Sequence, residues 1–195
     1  MSEPYALLIV GGGPAGLSAA RAFRGAGGSG PVAMISDERR MPYDRPPLSK
    51  ELLRGELEED DLPIEDEAWL EAQNVDLISG RAVSLHPSEH LVALSGGREL
   101  EYATCVLATG AEPTRLPIPG ADHPGVRTLR SFEDLRELQR RLRTGGPVTV
   151  IGSGFIGCEI AASLRLTGHP AAIVSDEAAP NVGRLGERAA AEIAR

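Results

Sequence analysis

Residues 6–38, ALLIVGGGPAGLSAARAFRGAGGSGPVAMISDE, decide the fold, because they carry the parts of a nucleotide-binding unit in order. An apolar strand enters a GxGxxG turn at Gly11, Gly13 and Gly16, an alanine-rich helix follows, and a second apolar strand ends at Asp37. The first glycine permits the tight turn, the second lets the backbone approach a pyrophosphate, and the third lets helix pack on strand. The pattern predicts a dinucleotide site with the pyrophosphate at the helix N-terminus and the acid on a ribose hydroxyl.

The same unit recurs at residues 147–177, PVTVIGSGFIGCEIAASLRLTGHPAAIVSDE. Gly152, Gly154 and Gly157 take the glycine positions, and Asp176 takes the position of the closing acid. One GxGxxG motif is weak evidence, but two with flanking strands and closing acids are difficult to explain as ordinary glycine turns. The sequence therefore predicts an α/β protein with two Rossmann-like dinucleotide-binding folds.

The acids that follow the second repeat bear on the choice of cofactor. A carboxylate at Asp176 or Glu177 would repel a 2′-phosphate, which favours NAD over NADP. Arg184 is near enough in the sequence to weaken this preference. A solvated strand end remains the alternative interpretation of these acids.

Composition and charge exclude several classes of function. The 195 residues carry a net charge of −8 and only 4% aromatic residues, which argues against nucleic acid as a partner. No apolar run approaches the roughly 20 residues of a membrane helix, and a strand begins close to the N-terminus, so we expect a cytoplasmic protein without a signal peptide. Cys105 and Cys158 form no CxxC motif, and the scattered histidines favour surface positions, so no metal site is expected.

The chain between the repeats predicts an antiparallel β-meander laid on the parallel sheet. Its predicted strands are Val75–Ser79, Ala82–His86, His90–Ser95 and Glu99–Ala108. The apolar run at the end of the last strand favours burial on both faces. Residues 131–143 predict a helix in which Ser131 is the N-cap and Asp134 closes a capping box.

Three stretches carry a more specific resemblance: PYDRPPLSKELL at 42–53, ATGAEPTRLPIPG at 108–120 and VIGSGFIGCEIAASL at 150–164. With them the chain resembles the FAD-dependent pyridine nucleotide oxidoreductases, in the ferredoxin-reductase-like branch that includes putidaredoxin and rubredoxin reductases. The resemblance implies an FAD-binding domain at residues 1–122 and an NAD-binding domain at 123–195. It also implies that the second fold is incomplete at its C-terminal end and that the later glycine-aspartate segment of the FAD domain is missing.

The resemblance further implies which residues bind the cofactors. The positions expected to bind FAD are Gly11, Gly13, Pro14, Ala15, Gly16, Asp37, Glu38, Arg45, Lys50, Val83, Ala108, Thr109, Gly110 and Arg130. The positions expected to bind NAD are Gly152, Gly154, Phe155, Ile156, Gly157, Glu159 and Asp176.

Lys50 and Glu159 are the expected catalytic pair, because similar enzymes hold these two residues beside the flavin N5 position. A lysine there would stabilise negative charge on the reduced ring, and a carboxylate partner would compensate the lysine. The plainer interpretation is that Lys50 is a surface lysine and Glu159 an acid in the first helical turn that complements the helix dipole.

The function implied by the resemblance is an NADH-dependent flavoprotein reductase. Disulfide reductases of the same superfamily carry a redox-active cysteine pair near residues 43–48, and this chain has no thiol there. Electrons are therefore expected to pass from NADH through FAD to an outside ferredoxin or rubredoxin, for an oxygenase system, in a monomer or homodimer. A redox-sensitive binding protein like apoptosis-inducing factor and a reductase module with another acceptor, such as nitrite reductase, remain alternatives. The chain resembles an N-terminal portion of such enzymes, so on its own it is expected to bind FAD weakly and to be inactive.

Overall fold

The computed structural model describes residues 3–194, an α/β fold that divides into two compact units. The first unit takes in the chain up to Asp44 together with Leu62–Ala111, and the second takes in Arg45–Asp61 together with the chain from Glu112 onward. The segment Arg45–Asp61 thus belongs to the second unit although it interrupts the first. The division of the cofactor domains at residue 122 stays a prediction.

The first unit is built on a mixed six-stranded sheet with the strand order β3-β2-β1-β6-β5-β4. The strands are β1 (Tyr5–Val10), β2 (Val32–Ser36), β3 (Val75–Ser79), β4 (Ala82–His86), β5 (Leu91–Leu94) and β6 (Glu99–Leu107). The helices of the chain are α1 (Pro14–Gly25), α2 (Glu51–Arg54), α3 (Glu67–Ala72), α4 (Phe132–Leu142), α5 (Phe155–Leu166) and α6 (Val182–Ile193). None of the described helices is long and apolar enough to cross a membrane.

Strand β1 is buried on both faces, as its unbroken apolar sequence requires. Leu7 and Ile9 pack in one core with Leu17 of α1. Leu8 and Val10 face the opposite core, where they meet side chains of the β4-β5-β6 meander. Because successive strand residues point to opposite faces, one short strand joins both cores of this unit.

Strands β4, β5 and β6 form the predicted meander, but β3, which was expected to belong to it, pairs parallel with β2 at the other edge of the sheet. Strand β6 changes partner along its length. Its first residues pair antiparallel with β5, and its remainder pairs parallel with β1. The expected burial of the strand end on both faces was wrong at Leu107, which is 63% exposed. The antiparallel pairing ends at Glu101, so β5 does not extend along the strand as far as Leu107.

The second unit contains a parallel pair, β7 (Val148–Ile151) and β8 (Ala171–Val174), connected through α5. Its helix α4 begins at the predicted N-cap: the Ser131 hydroxyl accepts from the Asp134 amide, and the Asp134 carboxylate accepts from the Ser131 amide. Residues 182–193 form a helix that is interrupted at Gly186, where the backbone has a φ of 78°.

The segment Arg45–Asp61 joins the second unit through short helical turns. Pro46–Ser49 forms a 3-10 turn that runs directly into α2, and both elements pack on α5. Leu48 and Leu52 are only 2% and 3% exposed, so the segment buries an apolar face. The tandem prolines suit the start of such a turn, because φ is restrained and no N–H is needed there.

Candidate functional site

The first glycine turn connects β1 to α1 in the first unit. Gly11 has a φ of +127°, and a Cβ placed on it would lie 2.0 Å from the carbonyl oxygen of Ala108. A Cβ on Gly16 would lie 2.1 Å from the Gly11 carbonyl oxygen. Both positions therefore exclude a side chain, and the backbone of the turn packs against the end of β6 and the start of α1.

The N-terminus of α1 is open toward an anion. Gly13 is its N-cap without any side-chain hydrogen bond, and a Cβ there would meet no atom within 4 Å. The first N–H groups of a helix have no partner within it, so the amides of Ala15 and Gly16 are suited to a phosphate. Pro14 occupies the position where no amide is needed. These residues fit the pyrophosphate of a dinucleotide.

Acidic and exposed residues follow at the carboxyl end of β2. Asp37 is exposed and lies 3.3 Å from Nη1 of Arg81, while the Glu38 carboxylate accepts a 2.5 Å hydrogen bond from the Tyr43 hydroxyl. Val83 comes two residues after Arg81 and is 62% exposed. The Asp37 carboxylate is thus accessible to solvent and lies next to Arg81, close in sequence to Val83. An accessible carboxylate is what binding a ribose hydroxyl requires.

The strand end at β6 brings three more predicted residues to this region. The Ala108 amide donates to the Val10 carbonyl, which places Ala108 directly against the Gly11 turn. Thr109 and Gly110 are exposed beyond it, and Gly110 has a φ of +71°. The structure therefore brings Gly11, Ala108 and their neighbours together within the first unit.

The second glycine turn has the same construction in the second unit. Gly152 has a φ of +106°, and a Cβ on Gly157 would lie 2.2 Å from the Gly152 carbonyl oxygen. Gly154 caps α5 without a side-chain hydrogen bond, and the next two side chains, Phe155 and Ile156, are 51% and 57% exposed. The turn fits a second pyrophosphate.

Glu177 lies against the second glycine turn, whereas Asp176 is exposed to solvent. Ser153 donates a 3.2 Å hydrogen bond to Glu177 and shares a 2.7 Å hydrogen bond with the Ser175 hydroxyl. Sequence reasoning named Asp176 as the NAD-binding acid, which stays a prediction, and it did not name Ser153. Only the packing of β7 against β8 reveals it, because the serine stands between two glycines without any signal of its own.

Arg184 is a second residue of this region whose position sequence reasoning did not specify. Its guanidinium lies 5.9 Å from the centre of the Phe155 ring, and its Nη1 would lie 3.1 Å from a Cβ on Gly154. The arginine therefore places a positive charge directly beside the glycine turn, where an anionic group of a ligand would meet it.

Lys50 and Glu159 meet within the second unit, although 108 residues lie between them in the chain. Nζ of Lys50 lies 3.7 Å from Oε1 of Glu159, and the two side chains are 33% and 34% exposed. The hydroxyl of Ser49 donates a 2.5 Å hydrogen bond to Oε2 of the same carboxylate. Glu159 therefore lies between two donors that follow the tandem prolines.

Arg45 and Arg130, both expected to bind FAD, are also neighbours. The Arg45 guanidinium donates a 2.5 Å hydrogen bond to the carbonyl of Arg130. The amide of Arg130 donates to the carboxylate of Asp134, so Arg130, two residues before α4, is held from both sides.

Neither cysteine of the chain is a reactive thiolate. Both are free, and burial raises the pKa of the Cys105 thiol. Burial also raises the pKa of Cys158, and the carboxylates of Glu159 and Glu177 add to this effect. The thiol is thus the stable form in each case, and a thiol is a poor relay for electrons.

Comparison with known proteins agrees with this geometry. A family model described as pyridine nucleotide-disulphide oxidoreductase matches residues 5–195. The chain belongs to the pyridine nucleotide-disulphide oxidoreductase family. Within this family it is similar to the ferredoxin and rubredoxin reductases.

Three relatives illustrate the similarity. The rubredoxin-NAD(+) reductase of Pseudomonas putida is 38% identical over 192 residues, which cover 97% of this chain and 49% of that protein. The ferredoxin-NAD(+) reductase component of the biphenyl dioxygenase system of Paraburkholderia xenovorans (strain LB400) is 39% identical, over 82% of this chain and 39% of that protein. The crystal structure of the ferredoxin reductase for the CYP199A2 system from Rhodopseudomonas palustris superposes with a TM-score of 0.89 at 35% identity, over 95% of this chain and 46% of that chain. The chain spans about half the length of these proteins or less.

Proposed function

We propose that this protein is an NADH-dependent flavoprotein reductase that passes electrons from NADH through FAD to a ferredoxin or rubredoxin of an oxygenase system. The observation that carries the proposal is the ion pair of Lys50 and Glu159, 3.7 Å apart. Binding a dinucleotide does not require this ion pair. A reaction in which negative charge develops does have a use for it, because a lysine ammonium already in place can stabilise that charge. The names of the relatives supply the acceptor class.

The two glycine turns have separate tasks in this proposal. The open N-terminus of α1 at Gly13 binds the FAD pyrophosphate, and Asp37 binds its ribose. The N-terminus of α5 at Gly154 binds the NAD pyrophosphate. Bound FAD supplies the chemistry, since flavins accept a hydride and release electrons singly.

Lys50 and Glu159 supply the electrostatics. The ammonium of Lys50 stabilises negative charge that develops on the ring system during reduction, and it is in place before the reaction begins. Glu159 keeps that ammonium compensated and oriented between turnovers. Because both side chains are about one-third exposed, the pair contributes little to stability, and we assign its purpose to function.

The absence of a competent thiol defines the exit route for electrons. Residues 43–48 contain no cysteine, and burial keeps Cys105 and Cys158 protonated. Bound FAD would therefore supply electrons to an external one-electron acceptor rather than to a protein dithiol.

Glu177 makes NADH the preferred donor, because its carboxylate beside the second glycine turn would repel a 2′-phosphate. Arg184 lies at the Phe155 and Gly154 side of the turn. There it favours the pyrophosphate that both cofactors share, so it does not reverse the preference.

The test uses the chain within a protein of its relatives' full length, because the chain on its own is expected to be inactive. It consists of anaerobic reduction of the FAD-loaded protein by NADH, followed by oxidation with a ferredoxin or rubredoxin. We expect NADH to bleach the flavin absorbance faster than NADPH does, and Lys50→Gln to slow the bleaching at least about tenfold. Unchanged bleaching in the Lys50→Gln protein would exclude the role given to the ion pair. Efficient oxidation by a disulfide substrate, with none by either iron protein, would exclude the proposed acceptor.

A further inference from the structure

We propose that Ser49 is the residue that positions the Glu159 carboxylate against Lys50. The inference rests on the proposed function for its catalytic meaning, but the contact itself is measurable without any cofactor. Ser49 is a positioning residue, since it acts through Glu159.

The distances indicate that Ser49, more than Lys50, holds the Glu159 carboxylate. Oε2 of Glu159 accepts the Ser49 hydroxyl at 2.5 Å, whereas Oε1 lies 3.7 Å from the Lys50 ammonium. Hydroxyl-to-carboxylate bonds of this length belong to the strong, charge-assisted class. A partly exposed ion pair at the longer distance contributes little by itself. Without the serine, the carboxylate would have little to hold it in one orientation.

The Ser49 hydroxyl has one proton to donate and a choice of acceptors. The Pro46 carbonyl lies 3.3 Å away, which is much longer than the bond to Glu159. The proton therefore goes to the carboxylate, because the ionised acceptor is both nearer and stronger.

Ser49 is itself fixed by α5, the helix that carries Glu159. Its backbone carbonyl accepts a 2.7 Å hydrogen bond from the hydroxyl of Ser163, and both serines are buried, at 5% and 1% exposure. Ser163 lies four residues after Glu159, so both face the same side of the helix. Helix α5 thus contacts Ser49 at two points one turn apart, which fixes the serine relative to the carboxylate.

Arg54 extends this arrangement. Its Nη1 lies 3.4 Å from the Ser163 hydroxyl, while its Nη2 donates to Glu56 at 2.6 Å. Ser163 therefore links the short helix α2 to α5. A continuous series of hydrogen bonds runs from Arg54 through Ser163 and Ser49 to Glu159.

A double-mutant cycle tests the contact. Ser49→Ala, Glu159→Ala and the double variant are compared with the unchanged protein by chemical unfolding. We expect a coupling of about tenfold in the unfolding equilibrium constant, because the single variants remove the same charged hydrogen bond. If the effects of the two single variants on the unfolding equilibrium constant multiply to give the effect of the double variant, the residues are not coupled and the inference is overturned. Thr144→Ala is the matched control, since that exposed hydroxyl donates to the Arg141 carbonyl, and it should show no coupling to Glu159.

The second readout is flavin reduction by NADH in the FAD-loaded protein. Ser49→Ala should lower the limiting rate about as much as Glu159→Ala and leave the apparent Kd for NADH unchanged, while Ser49→Thr, which keeps the hydroxyl, should restore the rate. Ser163→Ala should give a smaller loss of the same kind. A general loss of structure would not be rescued by threonine.

The two readouts separate the possible failures. Coupling in unfolding, with no flavin reduction in the unchanged protein, would overturn the proposed function and the catalytic meaning of the contact together. Slow reduction in Glu159→Ala, with a normal rate in Ser49→Ala and no coupling, would overturn the role of Ser49 while the proposed function stands.

Discussion

Gly11 shows how much one missing side chain determines at the residue scale. Its φ of +127° is a conformation that other residues rarely adopt, and the carbonyl of Ala108 occupies the place of a Cβ. Gly13, two residues on, has an extended backbone and open space around it. The two glycines of one motif are therefore required for different reasons: the first for the fold and the second for the ligand.

We expect Gly11→Ala to lower the free energy of unfolding by about 3 kcal/mol or more, since strain and a backbone clash act together. Chemical unfolding followed by circular dichroism measures this change. Gly13→Ala is the matched control and should unfold close to the unchanged protein. Equal stability of the two variants would contradict the assignment of Gly11 to the fold.

At the element scale, Arg24 joins the C-terminal end of α1 to two loops. Its guanidinium donates to the carbonyls of Gly28 and Gly30 in one loop and of Gln73 and Asn74 in the other. The sequence offers no signal for this role, because an arginine near a helix C-terminus is ordinary. The fold alone assembles the four acceptors around it.

We expect Arg24→Ala to lower the free energy of unfolding by about 2 to 3 kcal/mol, since it leaves four carbonyls without their charged donor. Arg21→Ala on the same helix should change it by less than about 1 kcal/mol, because Arg21 makes an exposed ion pair with Glu65 and lies over the Trp69 ring. Denaturant titration of both variants provides the comparison. A similar loss in each would show that the loops do not depend on Arg24.

Helix α4 carries a pH-dependent contribution. Hydrogen bonds from Arg140 and Arg141 lower the pKa of Glu137 from 4.5 to about 2. A carboxylate whose pKa is lower in the folded state stabilises the protein above the unfolded pKa, and this contribution disappears as the pH falls toward the folded pKa. We therefore expect Glu137→Gln to be less stable than the unchanged protein at pH 7 and to match it once the pH has fallen below about 2.

Thermal unfolding of the two proteins across this pH range checks the prediction. The difference in melting temperature should begin to narrow near pH 4.5, the ordinary value for the group, and continue to narrow toward pH 2. A constant difference would mean that charge at Glu137 is not what stabilises the helix.

On the scale of the whole molecule, two compact units repeat one construction. In each unit a parallel strand leads into a glycine turn whose third glycine packs on the carbonyl of the first, at Gly16 on Gly11 and at Gly157 on Gly152. The repetition explains why two cofactors are proposed for one chain. Because each proposed cofactor has its own glycine turn, a substitution in one turn should weaken the binding of one cofactor without affecting the other.

We expect Gly13→Ala to weaken FAD binding at least about tenfold without changing NAD binding, because the methyl group enters only the first cradle. Gly154→Ala should do the reverse. Fluorescence titration with each cofactor measures both affinities. Loss of both cofactors in either variant, with normal unfolding, would contradict the assignment of one cofactor to each turn.

The sequence by itself determined what short-range physics controls: the strands, the glycine turns, the meander and the capping box from Ser131 to Asp134. The resemblance, rather than any spacing, supplied Lys50 and Glu159. Tertiary structure alone decided that Ser49 donates to Glu159, that Glu177 rather than Asp176 contacts the second turn, and that Leu107 is exposed. These outcomes depend on which distant segments pack together, and long-range packing is set by the burial of whole faces, which no local pattern records.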